Sequence, residues 1–212
     1  MSINNSSRLL LVEGVAGIGK STLISSLIRK YSEDNPRIRS LLHLTQAHTY
    51  HPLSPDEPDA GPTTEQNLAH LEKILDLIGW MVSTVSEERR KIFFGVIDTL
   101  HLTHCFRPGV LCWADVSEFD ERLARLGCKI VFLRAASKTI WERTIWSRKD
   151  TEFITYYGRK YGDSLESIHQ YFVREQERML ALLAQSAMEK LLVDCDESVF
   201  DKSEEVFDYW VK

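Results

Sequence analysis

The sequence predicts a three-layer α/β fold, with about five parallel strands in one sheet and helices on both faces. Three observations carry this expectation. Short, continuous apolar runs alternate with helix-period segments along the 212 residues, the order that parallel β–α units require. The first apolar run passes into a glycine-rich loop and then into a helix. No internal repeat, low-complexity stretch or long linker divides the chain, so one domain over residues 1–212 is expected.

The elements follow in order. Leu9–Val12 is apolar at every position, as in a strand buried on both faces. Ser21–Tyr31 carries Leu23, Ile24, Leu27 and Ile28 at helical spacing. Arg39–Thr45 reads as the second strand. Residues 52–62 hold four of the six prolines together with acidic residues and a glycine, which makes a loop, either a solvated connection or a flap over a site. From Glu65 to Glu88, Leu68, Leu71, Ile74, Leu75, Ile78, Met81, Val82 and Val85 recur at steps of three and four. That spacing builds one wide apolar face, which serves the core or, in part, a homodimer contact.

Ile92–Ile97 is a third strand that ends at Asp98. Ser117–Leu126 is a helix, Lys129–Leu133 the fourth strand, and Ser137–Lys149 a helix with Ser137 as its cap. Ser164–Met188 is a long helix with Ile168, Phe172, Met179, Leu182 and Leu183 inward. Leu191–Val193 is the fifth strand and Lys202–Trp210 the last helix. The five tryptophans, Trp80, Trp113, Trp141, Trp146 and Trp210, are expected in the core or half-buried beside it.

Composition narrows the function. Hydrophobic residues make up 43% and charged residues 27%, with a net charge of -5, so no broad basic surface points to a nucleic acid polymer or an anionic membrane. No apolar run approaches the roughly 20 residues of a membrane helix. The polar stretch Met1–Arg8 lacks the apolar core of a secretory signal, and a cytoplasmic protein is expected. Cys105, Cys112, Cys128 and Cys195 show no Cys-x-x-Cys spacing, which fits buried free thiols in a reducing compartment. His101, His104 and Cys105 stand together but do not match zinc-ligand spacing.

Gly14-Val15-Ala16-Gly17-Ile18-Gly19-Lys20-Ser21 matches the pattern Gly-x-x-x-x-Gly-Lys-Ser/Thr at every fixed position, with a strand before it and a helix after it. Glycines let the main chain turn its N–H groups toward an anion. The helix starting near Lys20 adds its positive end. Gly14 to Thr22 are therefore the expected nucleotide-binding residues, with ATP and Mg²⁺ as cofactors. Lys20 would reach the β- and γ-phosphates, and the Ser21 hydroxyl would ligate Mg²⁺. Asp98, at the carboxyl end of a parallel strand, borders the crevice where such sheets bind ligands. It would bind Mg²⁺ through water, act as a general base, or cap the next turn.

On these residues the chain resembles the nucleoside and nucleotide kinase branch of P-loop proteins, thymidylate kinases and deoxynucleoside kinases in particular. Glu13-Gly14 leads into the loop as a similar Glu-Gly does in thymidylate kinases. Asp98 to Thr103 stand where such kinases carry Asp-Arg-Tyr/Phe-x-x-Ser, with Asp98 and Thr103 matching and Thr99 not. Trp141-Glu142-Arg143 through Arg148 follow the fourth strand, where the family has an arginine-bearing lid, here about 141–162. Val193-Asp194-Cys195-Asp196 stand where the family's turn lies near the adenine ring. The resemblance covers most of the chain in layout, and the loop is its one specific motif. It implies a P-loop fold and phosphoryl transfer from ATP. Ala16 stands where thymidylate kinases carry aspartate, Thr99 where they carry arginine, and Thr45–Pro52 where they carry an Arg-Glu-Pro segment. These departures count against dTMP as the acceptor.

Gln46, His48, Tyr50 and His51 should face the acceptor, offering rings and hydrogen-bonding groups without a fixed positive charge. His48 and His51 either touch substrate or are partly exposed loop residues. His101 or His104 could relay a proton. Arg107 either replaces the missing family arginine or lies on the surface. Arg143 and Arg148, with Lys149, Arg159 and Lys160, form a positive lid that spreads phosphoryl charge, or a solvated basic helix end. The expected activity is an ATP- and Mg²⁺-dependent kinase acting on a nucleoside, nucleotide or other small hydroxyl-bearing molecule. A nucleotide-dependent switch acting on a protein partner is the alternative, although no Asn-Lys-x-Asp segment would read guanine. A P-loop protein without catalysis is the third reading, and Lys20, Ser21 and Asp98 argue against it.

Overall fold

The apolar runs assemble into one sheet. In the computed structural model, residues 7–34, 41–49, 63–86, 92–106, 111–148, 151–162 and 164–212 are described. In chain order the elements are β1 (Ser7–Glu13), α1 (Lys20–Asp34), β2 (Leu41–Leu44), the single turn α2 (Gln46–Thr49), α3 (Thr64–Ser86), β3 (Phe93–Asp98), α4 (His101–Phe106), α5 (Trp113–Arg125), β4 (Cys128–Arg134), α6 (Ser137–Ile140), α7 (Thr151–Tyr161), α8 (Leu165–Leu183), β5 (Glu189–Asp194) and α9 (Ser203–Val211). A π turn (Trp141–Ile145) and a 3-10 turn (Trp146–Arg148) extend α6, and a further 3-10 turn (Phe200–Lys202) precedes α9.

The strands are all parallel in the order β2-β3-β1-β4-β5, which puts β1 in the centre. Leu9, Leu10, Leu11 and Val12 are all fully buried. Alternate strand residues face opposite layers. Leu10, Val12, Phe94, Val96, Val131 and Leu133 pack with α1, α7, α9 and the first half of α8. Leu9, Leu11, Phe93, Ile97, Ile130 and Phe132 pack with α3, α4, α5 and the second half of α8. The three-layer α/β fold expected from the sequence is therefore the observed one.

Local hydrogen bonds set several helix starts. Thr63 N–H donates to Gln66 Oε1 and Gln66 N–H to Thr63 Oγ1, at 2.9 and 3.2 Å, a reciprocal cap for α3. Ser164 Oγ accepts from Ser167 N–H at the start of α8.

Some boundaries differ from expectation. Ser137 is the first residue of α6 and not its cap, and its hydroxyl lies 3.2 Å from His169 Nε2. The helix start is held instead from the turn after the neighbouring strand β5: Asp196 Oδ1 accepts from Ala136 N–H at 2.7 Å and from Thr139 Oγ1 at 2.8 Å. The helix expected to run to Lys149 breaks into the π turn at Trp141, and the one expected to reach Met188 stops at Leu183. Trp80 and Trp146 are exposed rather than packed, at 66% and 54%. Cys112 is exposed, while the other three cysteines are buried free thiols. Loop 52–62 lies outside the described residues.

Candidate functional site

The loop at residues 14–19 leaves the carboxyl end of the central strand. Val15 and Ile18 bury their side chains in the core, so the loop is pinned inward and presents main chain at its surface. Gly14, Gly17 and Gly19 have φ of 143°, 80° and 114°, a region that favours glycine. Close approach adds a second reason at all three, and a Cβ on Gly14 would stand 2.7 Å from Leu133 O. A Cβ on Gly17 would stand 3.1 Å from Thr144 Cα, and one on Gly19 would stand 2.9 Å from Val199 Cγ2.

Lys20 opens α1 and bends back over the loop, donating to Gly14 O at 2.7 Å and Val15 O at 3.1 Å. Burial pulls its pKa below the ordinary lysine range, against the charges of Asp98, Glu13 and Glu175, while Arg148 adds to the downward pull. Ser21 and Thr22 are exposed in the first turn of α1. Among the described residues no group of three His, Cys, Asp or Glu side chains could hold a metal by itself.

Asp98 ends β3 directly beside Val12 of β1 and is 8% exposed. The residue after it is under strain: Thr99 has φ of 66°, an outlier for a β-branched side chain. Three hydrogen bonds impose that conformation. Thr99 N–H donates to Val12 O at 3.0 Å, Thr99 Oγ1 to Asp98 Oδ1 at 3.1 Å, and Thr49 Oγ1 to Asp98 O at 3.0 Å. Strain held this firmly is typical of functional positions. Beneath it, buried Glu13 accepts from Leu100 N–H at 2.8 Å and Thr103 Oγ1 at 2.9 Å. Burial raises the pKa of Glu13, partly offset by those bonds and by His101 and Lys20.

The remaining expected residues divide. Arg148 lies within electrostatic reach of Lys20. The Arg143 guanidinium donates to the Glu197 carbonyl, on the turn after β5. Just before that turn, Arg134 at the end of β4 pairs with Asp194 at the end of β5, at 2.6 and 3.0 Å. His48 is exposed, and its Nδ1 accepts from Thr45 N–H at 3.3 Å at the start of α2.

His101 lies in the interior between α4 and α5. It is fully buried, and its Nε2 meets Asp120 Oδ1 at 2.9 Å. Asp120 also accepts from Ser186 Oγ at 2.8 Å and Ala187 N–H at 2.7 Å. His104 bridges Asn67 Oδ1 and Thr49 O at 3.2 and 3.0 Å. Both rings tie helices together. His51, Arg107 and Lys149 lie outside the described residues, as do the side chains of Arg159 and Lys160.

Glu175, on α8, is a buried charge near Lys20 that the sequence reading missed. Its signal was present: a charged residue falls in the inward series Ile168, Phe172, Met179, Leu182.

No protein-family model and no curated protein matches this chain. Its structure is similar to the YorR protein of Bacillus subtilis, solved in complex with phosphorylated GDP, with a TM-score of 0.53 and 13% identity over 95% of this chain and 94% of that one. Among the described residues no helix is long and apolar enough to cross a membrane. The likeness to YorR is one of fold, and it extends over nearly the whole of both chains.

Proposed function

We propose that the chain binds a nucleoside triphosphate on Gly14–Thr22 and transfers its γ-phosphoryl group to a small hydroxyl-bearing acceptor, as an ATP- and Mg²⁺-dependent kinase. The observation that carries this reading is the glycine loop at the tip of the central strand, with Lys20 folded onto it and Asp98 at the adjacent tip. The fold neighbour's phosphorylated guanine nucleotide supports a nucleotide ligand and puts GTP beside ATP among the donors to test. The motifs resemble those of thymidylate and deoxynucleoside kinases, with a changed acceptor side.

On this reading the loop N–H groups hold phosphate oxygens, and Lys20 exchanges the Gly14 and Val15 carbonyls for them. Ser21 and, through water, Asp98 would hold Mg²⁺, for which oxygen donors are the fitting set. The metal, when bound, neutralises phosphate charge. Asp98 orients or deprotonates the acceptor hydroxyl while Thr99 and Thr49 keep it in place. Arg148 and Arg143 bring positive charge to the lid. His48 and the segment around it suit a neutral, ring-bearing acceptor. Leu77 and Trp80, 42% and 66% exposed on α3, support a homodimer along that helix, which a monomeric mass in solution would contradict.

The test is consumption of ATP or GTP with Mg²⁺ across nucleosides, nucleotides and hydroxylated small molecules, with Lys20→Ala as control. Stimulation by one class of compound that is absent in the variant supports the kinase. Nucleotide binding with no stimulation by any compound counts against it and favours a switch.

A further inference from the structure

After α6 the chain leaves the α-helical path. Trp146 N–H reaches back five residues to Trp141 O, which defines the π turn. Such a turn inserts one residue and re-aims the side chains near it, and it occurs often at functional sites. Here it buries Thr144 completely and directs its hydroxyl to Ala16 O at 2.8 Å. Gly17 fits so closely that a Cβ there would stand 3.1 Å from Thr144 Oγ1 as well as from its Cα. The preceding residue, Arg143, holds the Glu197 carbonyl. One turn thus joins the glycine loop to the turn after β5.

We infer that Thr144 is a positioning residue for polyphosphate binding by the loop, an inference that rests on the nucleotide reading above. In a planar trans peptide, the Ala16 carbonyl and the Gly17 N–H point in opposite directions. By fixing the carbonyl toward the π turn, the Thr144 hydroxyl fixes where the Gly17 N–H aims. Valine has nearly the same shape but cannot donate, so Thr144→Val leaves the packing and frees the Ala16–Gly17 peptide to rotate.

Calorimetric titration of Mg²⁺ with ATP, and of tripolyphosphate alone, tests this in wild type, Thr144→Val and Thr144→Ser. Thr144→Val should bind both about tenfold more weakly, the effect of losing one well-placed hydrogen bond. Thr144→Ser, which keeps the donor, should stay within about twofold of wild type. If Thr144→Val does not fold, Thr144→Ala replaces it with the same expectation. Wild-type affinity in the hydroxyl-free variant, or equal weakening in Thr144→Ser, overturns the inference while leaving the nucleotide reading intact. A wild-type protein that binds neither ligand overturns both.

Discussion

Around the tip of β1, the groups able to meet a ligand are main-chain N–H groups and one lysine, set out by three glycines with positive φ. Around the tip of β3, each contact engages a side chain: Thr49 and Thr99 hold Asp98, Leu100 N–H and Thr103 reach Glu13 at the end of β1, and His104 meets Asn67 and the Thr49 carbonyl. A site made of main chain depends on a few residues adjacent in sequence. A site made of side chains depends on contacts between distant segments, so changing one residue moves several others. The two tips should therefore respond differently to substitution.

The largest effect is expected at the first tip. Lys20→Ala removes the cation lodged on the loop and should lower turnover by about 10²–10³-fold or more, with little change in melting temperature. Steady-state rates beside a thermal melt check this, and unchanged turnover would contradict the mechanism. Asp98→Asn keeps the shape and removes the charge. Turnover should fall by about 10²-fold if Asp98 acts as base or metal partner, and a rate near wild type would leave it neither.

Behind the second tip, the effect should be on stability. Asp120→Asn takes the charge out of the buried contact with His101 and should cost about 1–3 kcal/mol of unfolding free energy, without altering nucleotide affinity. Its pH dependence follows from its surroundings. Burial opposes ionisation of Asp120, but the bonds from His101, Ala187 and Ser186 prevail and hold its pKa below the ordinary carboxylate range. A depressed pKa contributes stability that is fully present above the unfolded value of about 3.9 and is lost as pH falls through the folded value. Urea unfolding below about pH 4 should therefore weaken more steeply in wild type than in Asp120→Asn. Equal acid slopes would show that the pair contributes no such linkage.

The smallest effect is expected at Thr99. Glycine there relieves positive-φ strain worth about 1–3 kcal/mol but loses the bond to Asp98 and a buried methyl group. Stability should stay within about 1 kcal/mol of wild type while turnover drops about tenfold. A large loss of stability with unchanged turnover would make Thr99 a packing residue and would blur the contrast between the tips.

The same contrast governs what the sequence discloses. The loop was legible because its chemistry needs glycines at fixed offsets, and β1, β3 and β4 were legible because strands buried on both faces are continuously apolar. α2 and α4 have four and six residues, too few to display a helical period. The π turn was hidden because its Thr144–Ala16 bond joins residues 128 positions apart. The His101–Asp120 pair was hidden because its partners stand 19 positions apart on different helices. Glu175 announced itself only by its place on an apolar face.

The most direct measurement is an amide-resolved NMR titration of the wild-type protein with ATP and Mg²⁺. The account predicts that the backbone N–H signals of Gly17, Gly19, Lys20 and Ser21 shift most, and that Lys20→Ala weakens the response. ATP that fails to bind, or that shifts amides elsewhere while leaving Gly14–Thr22 unchanged, would contradict it.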